Sequence, residues 1–478
     1  MSETLIPAPA RDDAPEEIAA KAAQARRAAA TWRRLNVSQR VAALRKAWRE
    51  LAARREELAR VIHEETGKPL AEAELMEIGT TGMLVSHFAA NANRLFEDTP
   101  APKPWFLLNK RAYARRVPWG VVGVVSPWNM PFLIPFADAF AAMLAGNAVL
   151  LKPSEWTTRT ALWTESALAA TGLFPEGLLT VARGGPAAGE RVLDASDMVV
   201  FTGSTKAGRE VAARAARDLK PCLLELGGKH PMIVLADAPL ERAAAAAVWG
   251  GFSNAGQLCI GVERVFVEGP LFDKFVESVR RRMAVLRVSA DGLGDMGRLT
   301  VPFQFDRVQA QLDDARAKGA RVIGGEVLDR AGLLMAPALV LDPAPGMRVC
   351  SEEIFGPVLA VTRVGRAEEA VAAANEGPWG LAASVWTADH ERGEALGAAL
   401  QCGLVGVNEP STHYALGSLP FGGFKSSGLG RRHGDEGLRA FTQPQSVIVH
   451  EWPPETADPW WFPYDAVKSA WLRRLTGL

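Results

Sequence analysis

At 478 residues the chain has room for two or three domains and a large buried core. Lys plus Arg and Asp plus Glu both number 54, so there is no basic field to attract nucleic acid, and the expected partners are small molecules or further copies of the chain. Four cysteines (Cys222, Cys259, Cys350, Cys402) stand far apart without CxxC spacing, which argues against a disulfide frame or a zinc site and suits a reduced, cytoplasmic protein.

Met1 to Pro15 is polar, acidic and proline-containing, unlike a secretory signal, and reads as a loose tail. Ala14 to Gly67 follows with helical apolar spacing at Val41, Leu44, Trp48, Leu51 and Leu58, predicting two helices. His63-Glu64-Glu65 opens like a zincin motif, but Gly67 stands where the second histidine belongs, and no metal is expected. Gly120 to Leu151 carries one charge, Asp138, yet Pro127, Asn129, Pro131, Pro135 and Asn147 divide it. A buried strand, loop, helix and strand fit it better than a membrane span. Apolar runs at Val121–Val125, Ala148–Leu151, Met198–Phe201, Cys222–Leu226 and Met232–Leu235 alternate with helical stretches, the pattern of a parallel sheet. After Cys259 a second α/β series begins: Val262–Val267, a helix Leu271–Leu286, Arg321–Ile323, Leu339–Leu341, Val358–Val364 and Leu404–Val407. No internal repeat or low-complexity linker marks a boundary.

The chemistry concentrates in three blocks. Glu225-Leu226-Gly227-Gly228-Lys229 precedes Gly256-Gln257-Leu258-Cys259 by 34 positions from glutamate to cysteine, offering a thiol nucleophile and a carboxylate base. Upstream, Ser126-Pro127-Trp128-Asn129-Met130-Pro131 supplies an amide that can donate to an oxyanion. Each has a structural rival: a buried cysteine, a carboxylate capping Gly227-Gly228, an asparagine satisfying loop backbone. Phe201-Thr202-Gly203-Ser204-Thr205-Lys206-Ala207-Gly208, between an apolar run and the helical stretch Arg209–Leu219, suits a pyrophosphate at a helix N-terminus, though ordinary strand-to-helix turns share the spacing.

With Glu352-Glu353-Ile354-Phe355-Gly356-Pro357 and Pro420-Phe421-Gly422-Gly423-Phe424-Lys425 in the same order, residues from about Glu64 to Val447 resemble the aldehyde dehydrogenase superfamily, hydrolytic type. The resemblance implies an α/β fold of two Rossmann-like domains plus a small β oligomerisation ribbon. Residues 1–104 and 119–228 would form the dinucleotide-binding domain and 229–425 the catalytic domain. Segments 105–118 and 440–450 would mediate oligomerisation, with Lys110–Val117 and Gln445–His450 matching the family's subunit-contact strands, in a dimer or tetramer; 451–478 remain as a C-terminal amphipathic tail. It assigns Cys259 as nucleophile, Glu225 as deacylation base and Asn129 as oxyanion donor. Lys152 and Glu155 match the adenosine-ribose contacts, Gly203, Ser204 and Gly208 positions beside the dinucleotide, and Glu353 and Phe355 the residues at the nicotinamide ribose and ring. Trp128 either walls the cofactor site or is a buried aromatic. Glu155 would accept from ribose hydroxyls and repel a 2′-phosphate, so NAD is expected over NADP, with Arg159 close enough to leave NADP use open. Glu225 favours hydrolysis over acyl transfer to coenzyme A. Arg432-His433 depart from the family pattern, where a Glu more commonly follows Arg431.

The block Asn254–Arg264 partly resembles that of bacterial succinate-semialdehyde dehydrogenases, but Phe132–Ala142 lacks their carboxylate-binding arginine. Met130, Phe132, Leu133 and Phe136 therefore suggest an apolar aldehyde, medium-chain aliphatic or aromatic, with succinate semialdehyde as the alternative. Asp458–Tyr464 and Ala466–Leu475 form an aromatic cluster and a short amphipathic helix; packing or gating is favoured over membrane contact, since so short a helix anchors weakly. A different class, a non-catalytic cofactor-binding or structural protein, would have no need of Asn129, Glu225 and Cys259 together.

Overall fold

The computed structural model describes residues 9–453, 455–458 and 460–476. Two sheets organise the chain. The first has six strands in the order Gly428–Leu429, Cys222–Glu225, Met198–Thr202, Val121–Val125, Ala148–Lys152 and Leu179–Val181, all parallel except the first. The second has seven, in the order Arg321–Gly324, Ala338–Leu341, Val358–Val364, Val262–Glu268, His230–Val234, Ala382–Trp386 and Leu404–Val407, with only the outermost Arg321–Gly324 antiparallel. Buried on both faces, the central strands are almost wholly apolar, which is why they stand out as runs in the sequence. Gly120–Leu151 divides as expected, and its helix Leu133–Ala145 is buried throughout. Among the described residues no helix is long and apolar enough to cross a membrane.

Three expectations are corrected. Ala14–Gly67 forms three helices, Pro15–Trp32, Val37–Ala53 and Arg55–Thr66, because Arg54 leaves helical geometry (φ −105°, ψ 24°) with neither Pro nor Gly to announce the break. The N-terminal stretch is anchored from Ala10 on: its N–H donates to Glu155 O (2.9 Å), and buried Asp13 pairs with Lys21 and with Arg183 (2.7 Å). Residues 1–8 lie outside the described residues. Met130, Phe132, Leu133 and Phe136 pack the core, with Phe132 stacked on Phe136 (5.1 Å between centroids), so they are not the pocket wall that the sequence suggested.

Lys110–Pro118 pairs antiparallel with Thr442–His450 over nine residues, forming with Thr99–Pro100 a separate three-stranded ribbon. At its far end Lys110 pairs with Asp458 and lies over the Trp460 ring (5.8 Å), seating the tail on the ribbon. The tail helix Ala466–Thr476 leaves Val467 and Trp471 exposed, and no described tail residue borders the cleft of its own chain.

Candidate active site

A cleft of about 500 Å³ opens at the C-terminal ends of the first sheet's strands, where an open parallel sheet offers its loops to ligands. Its lining includes Trp128, Asn129, Lys152, Glu155, Gly203, Ser204, Cys259, Glu353 and Phe355. Two predicted residues stand behind that wall. Gly208 is buried, and a Cβ there would lie 2.3 Å from Leu226 Cδ2, so its smallness lets the helix Thr205–Arg217 close on the next strand's exit. Glu225 is buried (3 % exposed), at the end of strand Cys222–Glu225.

At one end of the cleft Lys152 Nζ lies 3.3 Å from Glu155 Oε2, and burial holds the ammonium below its usual pKa although Glu155 opposes the shift. Ser204 caps the helix Thr205–Arg217, its hydroxyl accepting from Ala207 N–H (3.3 Å), so that helix N-terminus faces the cleft as a site for negative charge. Arg159 pairs with Glu64 (2.6 Å) and does not line the cleft. The middle is walled by aromatic rings: Trp128 stands edge-on to Phe355 (5.5 Å) and Phe303 (6.2 Å), settling it as cleft wall and not core. Glu353 accepts from Gly228 N–H (3.0 Å), and burial, then Glu263, raises its pKa to about 7. A Cβ at Gly227 would come within 2.8 Å of that carboxylate, so only glycine leaves the cradle open. Together a lysine–glutamate pair, a helix N-terminus, an aromatic wall and an ionisable carboxylate fit a dinucleotide along its length.

At the other end, Asn254, Ala255 and Gly256 take left-handed backbone in succession (φ 50°, 53° and 72°), a strained turn that brings Cys259 to the cleft floor. Gln257 holds the turn, giving its amide N–H to Asn254 O (2.8 Å) and receiving Thr300 N–H (2.9 Å). Gly228 allows the segment after strand Cys222–Glu225 to approach the Cys259 loop, since a Cβ there would lie 2.4 Å from Cys259 O. Asn129 Nδ2 donates to Gln257 O (2.8 Å), tying the oxyanion-candidate loop to the nucleophile loop. The half-buried thiol packs against the cluster of Ile260, Leu381, Ala382, Leu404 and Phe421. Burial, then Glu225 and Glu353, pushes its pKa up to about 12, while Arg432 and the Ile260 N–H oppose the rise. Burial also raises Glu225 to about 8, and neither of its oxygens has a hydrogen-bond partner. A thiol at the cleft and an unpartnered carboxyl buried behind it are thus two ionisable groups whose charged forms burial penalises.

Several residues around the site had no role assigned from the sequence. Lys68 Nζ donates to Glu77 Oε1 (2.5 Å) and to Asn129 O (2.9 Å), while Glu77 Oε2 accepts the N–H groups of Phe132 and Leu133, so a buried pair clamps the Asn129 loop. Lys229 and Glu263 form a second buried pair (2.9 Å), and Glu263 receives the N–H groups of Ile354 and Phe355. Phe303 and Gln304 enter from a distant helix start. Lys229 and Glu263 stood inside blocks already singled out, without a role, while nothing in the sequence around Lys68 and Glu77 pairs them.

Two largely parallel sheets thus hold a cysteine and an amide at one end of an elongated cleft, with a carboxylate buried behind them. The chain belongs to the aldehyde dehydrogenase family, whose model matches residues 3–447. It is 40% identical over 454 residues to the 4,4'-diapolycopene aldehyde oxidase of Methylomonas sp, covering 95% of this chain and 85% of that protein. It is 38% identical over 450 residues to a "Putative succinate-semialdehyde dehydrogenase" of Mycolicibacterium smegmatis, named with NADP(+), covering 91% and 84%. Among solved structures, the NAD-dependent aldehyde dehydrogenase of Sinorhizobium meliloti superposes with a TM-score of 0.86 at 33% identity, covering 93% of this chain and 89% of that one.

Proposed function

We propose that this chain oxidises an apolar aldehyde to its carboxylic acid with NAD, through a thiohemiacetal and then a thioester on Cys259. The observation that carries the reading is that Cys259 and Asn129 line one end of the cleft, tied together through Gln257, with Glu225 buried behind that wall. Cys259, its thiol proton given up to solvent, attacks the aldehyde carbon as the thiolate. The second N–H of the Asn129 amide and the Cys259 backbone N–H receive the oxyanion. Bound nicotinamide supplies the hydride acceptor. Trp128, Phe355 and Glu353 orient that end of the cofactor, and Lys152 and Glu155 hold the other. Glu225 then draws a proton from the water that hydrolyses the thioester.

The apolar substrate is supported by the thiol's packing against Phe421, Ile260 and the side chains around them, and by the relative named for a diapolycopene aldehyde. Succinate semialdehyde stands second, favoured by the mycobacterial relatives' names. NAD over NADP follows from Glu155 beside Lys152 and from the diversion of Arg159. The four unpaired cysteines suit a cytoplasmic setting, and the ribbon's outer edge strand Thr442–His450 suits a contact between copies.

The test is NADH and NADPH formation on hexanal, benzaldehyde and succinate semialdehyde, with Cys259→Ala as control. NAD-dependent turnover of the apolar aldehydes, abolished in the variant, is expected. Turnover of succinate semialdehyde alone would overturn the substrate, and activity in Cys259→Ala would overturn the mechanism.

A further inference from the structure

Glu225 shares its enclosure with polar groups that the reaction above leaves unused. Phe421 and Arg432 exchange backbone hydrogen bonds, Phe421 N–H to Arg432 O (2.6 Å) and Arg432 N–H to Phe421 O (2.7 Å), in a loop from which the Arg432 side chain runs inward. Its Nη2 donates to Asp138 Oδ2 at 2.7 Å, both side chains being at least nine-tenths buried, and also to the Thr202 hydroxyl. Thr202 is the residue directly opposite Glu225 in the parallel strand pairing. Asp138 projects from the helix Leu133–Ala145, which begins four residues after Asn129. At Gly422, next to Phe421, a Cβ would lie 3.1 Å from Glu225 Oε1, so the backbone of the same loop closes directly on the carboxylate. Arg432 Nε and the Tyr414 hydroxyl are buried without partners, as are both Glu225 oxygens.

The ion pair therefore joins three parts of the active site: the helix after the Asn129 loop, the strand beside Glu225 and the loop that closes over it. A buried pair of this kind contributes little to stability for its own sake. We propose that Arg432, held by Asp138, is the positioning residue for Glu225, a fixed cation that favours the base's ionised form. This rests on the reading of Glu225 as the deacylation base. Arginine suits the role because its guanidinium stays protonated at every working pH. The charged and titratable groups felt by Glu225 are Arg432, Asp138 and Arg431, with Cys259 and Tyr414 coupled to it in turn. Arg432 and Arg431 favour its ionised form, and Asp138 opposes it.

The two partners thus have opposite effects, which separates this role from a merely structural one. The test is the pH–rate profile of deacylation, measured on full-length protein after the NADH burst, in Arg432→Gln, Arg432→Lys and Asp138→Asn. Arg432→Gln is expected to move the rising limb to higher pH, with at least a tenfold loss at pH 7 that recovers toward pH 9. Asp138→Asn is expected to move it to lower pH, and Arg432→Lys to restore the wild-type position. Equal losses at every pH, or shifts of the same sign in Arg432→Gln and Asp138→Asn, would overturn the proposal. If Arg432→Gln does not fold, Asp138→Asn alone decides by the sign of its shift, an unmoved limb counting against the proposal. Glu225→Gln keeps the two readings apart: unchanged deacylation there sinks the base assignment, whereas its loss with unmoved profiles in the other variants sinks only the role of Arg432.

Discussion

Glu225 occupies a site that penalises its charged form, and its proposed work requires that form. With its pKa raised by burial to about 8, the deacylation rate should climb through that pH and level off above it. A pH profile flat from 6 to 9 would contradict this. The same shift affects stability. A carboxyl whose folded pKa lies above its unfolded value contributes stability at low pH that is lost as pH rises from about 4.5 through about 8. Glu225→Gln should therefore melt higher than wild type at pH 9 and nearly level with it at pH 5, as thermal unfolding would show. Its turnover should fall by about 10² to 10⁴, while a stoichiometric NADH burst remains. Asn129→Ala, which removes the proposed oxyanion donor, should lower kcat by about 10² or more. The proposed nucleophile, base and amide could be singled out in the sequence because each sits in a contiguous glycine- or proline-rich block. Arg432 and Asp138 were visible only as an oddity and a lone charge, since nothing linear joins residues 294 positions apart.

Among the elements, the turn Asn254–Gly256 and the exit of strand Cys222–Glu225 set the distance between thiol and base. Gly228 lies at their contact, where an added methyl would meet the Cys259 carbonyl at 2.4 Å. Gly228→Ala should therefore cost about 1–3 kcal/mol of stability and lower kcat at least tenfold; denaturant unfolding and steady-state kinetics check both. An unchanged kcat would show that this approach does not position the thiol. The buried parallel strands could be read as apolar runs, and nine of the eleven begin and end within two residues of expectation. Gly428–Leu429 and Leu179–Val181 escaped because two or three residues carry no pattern, and Ala382–Trp386 because its alanines and serine give no β-branched run. The break at Arg54 escaped for lack of a proline or glycine.

For the whole molecule, the ribbon and tail form a surface apart from the cleft. Ile448 is 68 % exposed on the ribbon's outer strand, and Trp461, Phe462, Val467 and Trp471 are exposed on the tail. If the outer strand joins copies, Ile448→Lys should shift the assembly toward monomer, read by light scattering after size exclusion. Activity per site should survive where the cleft of each chain is self-contained. The central claim, that an acyl group passes through Cys259 and is released by Glu225, is tested most directly by intact-protein and peptide mass spectrometry of Glu225→Gln mixed with hexanal and NAD. The account predicts one hexanoyl group per chain, on the peptide containing Cys259, formed together with one NADH. NADH formation without an acyl adduct, or an adduct on Cys222, Cys350 or Cys402 instead, would contradict it.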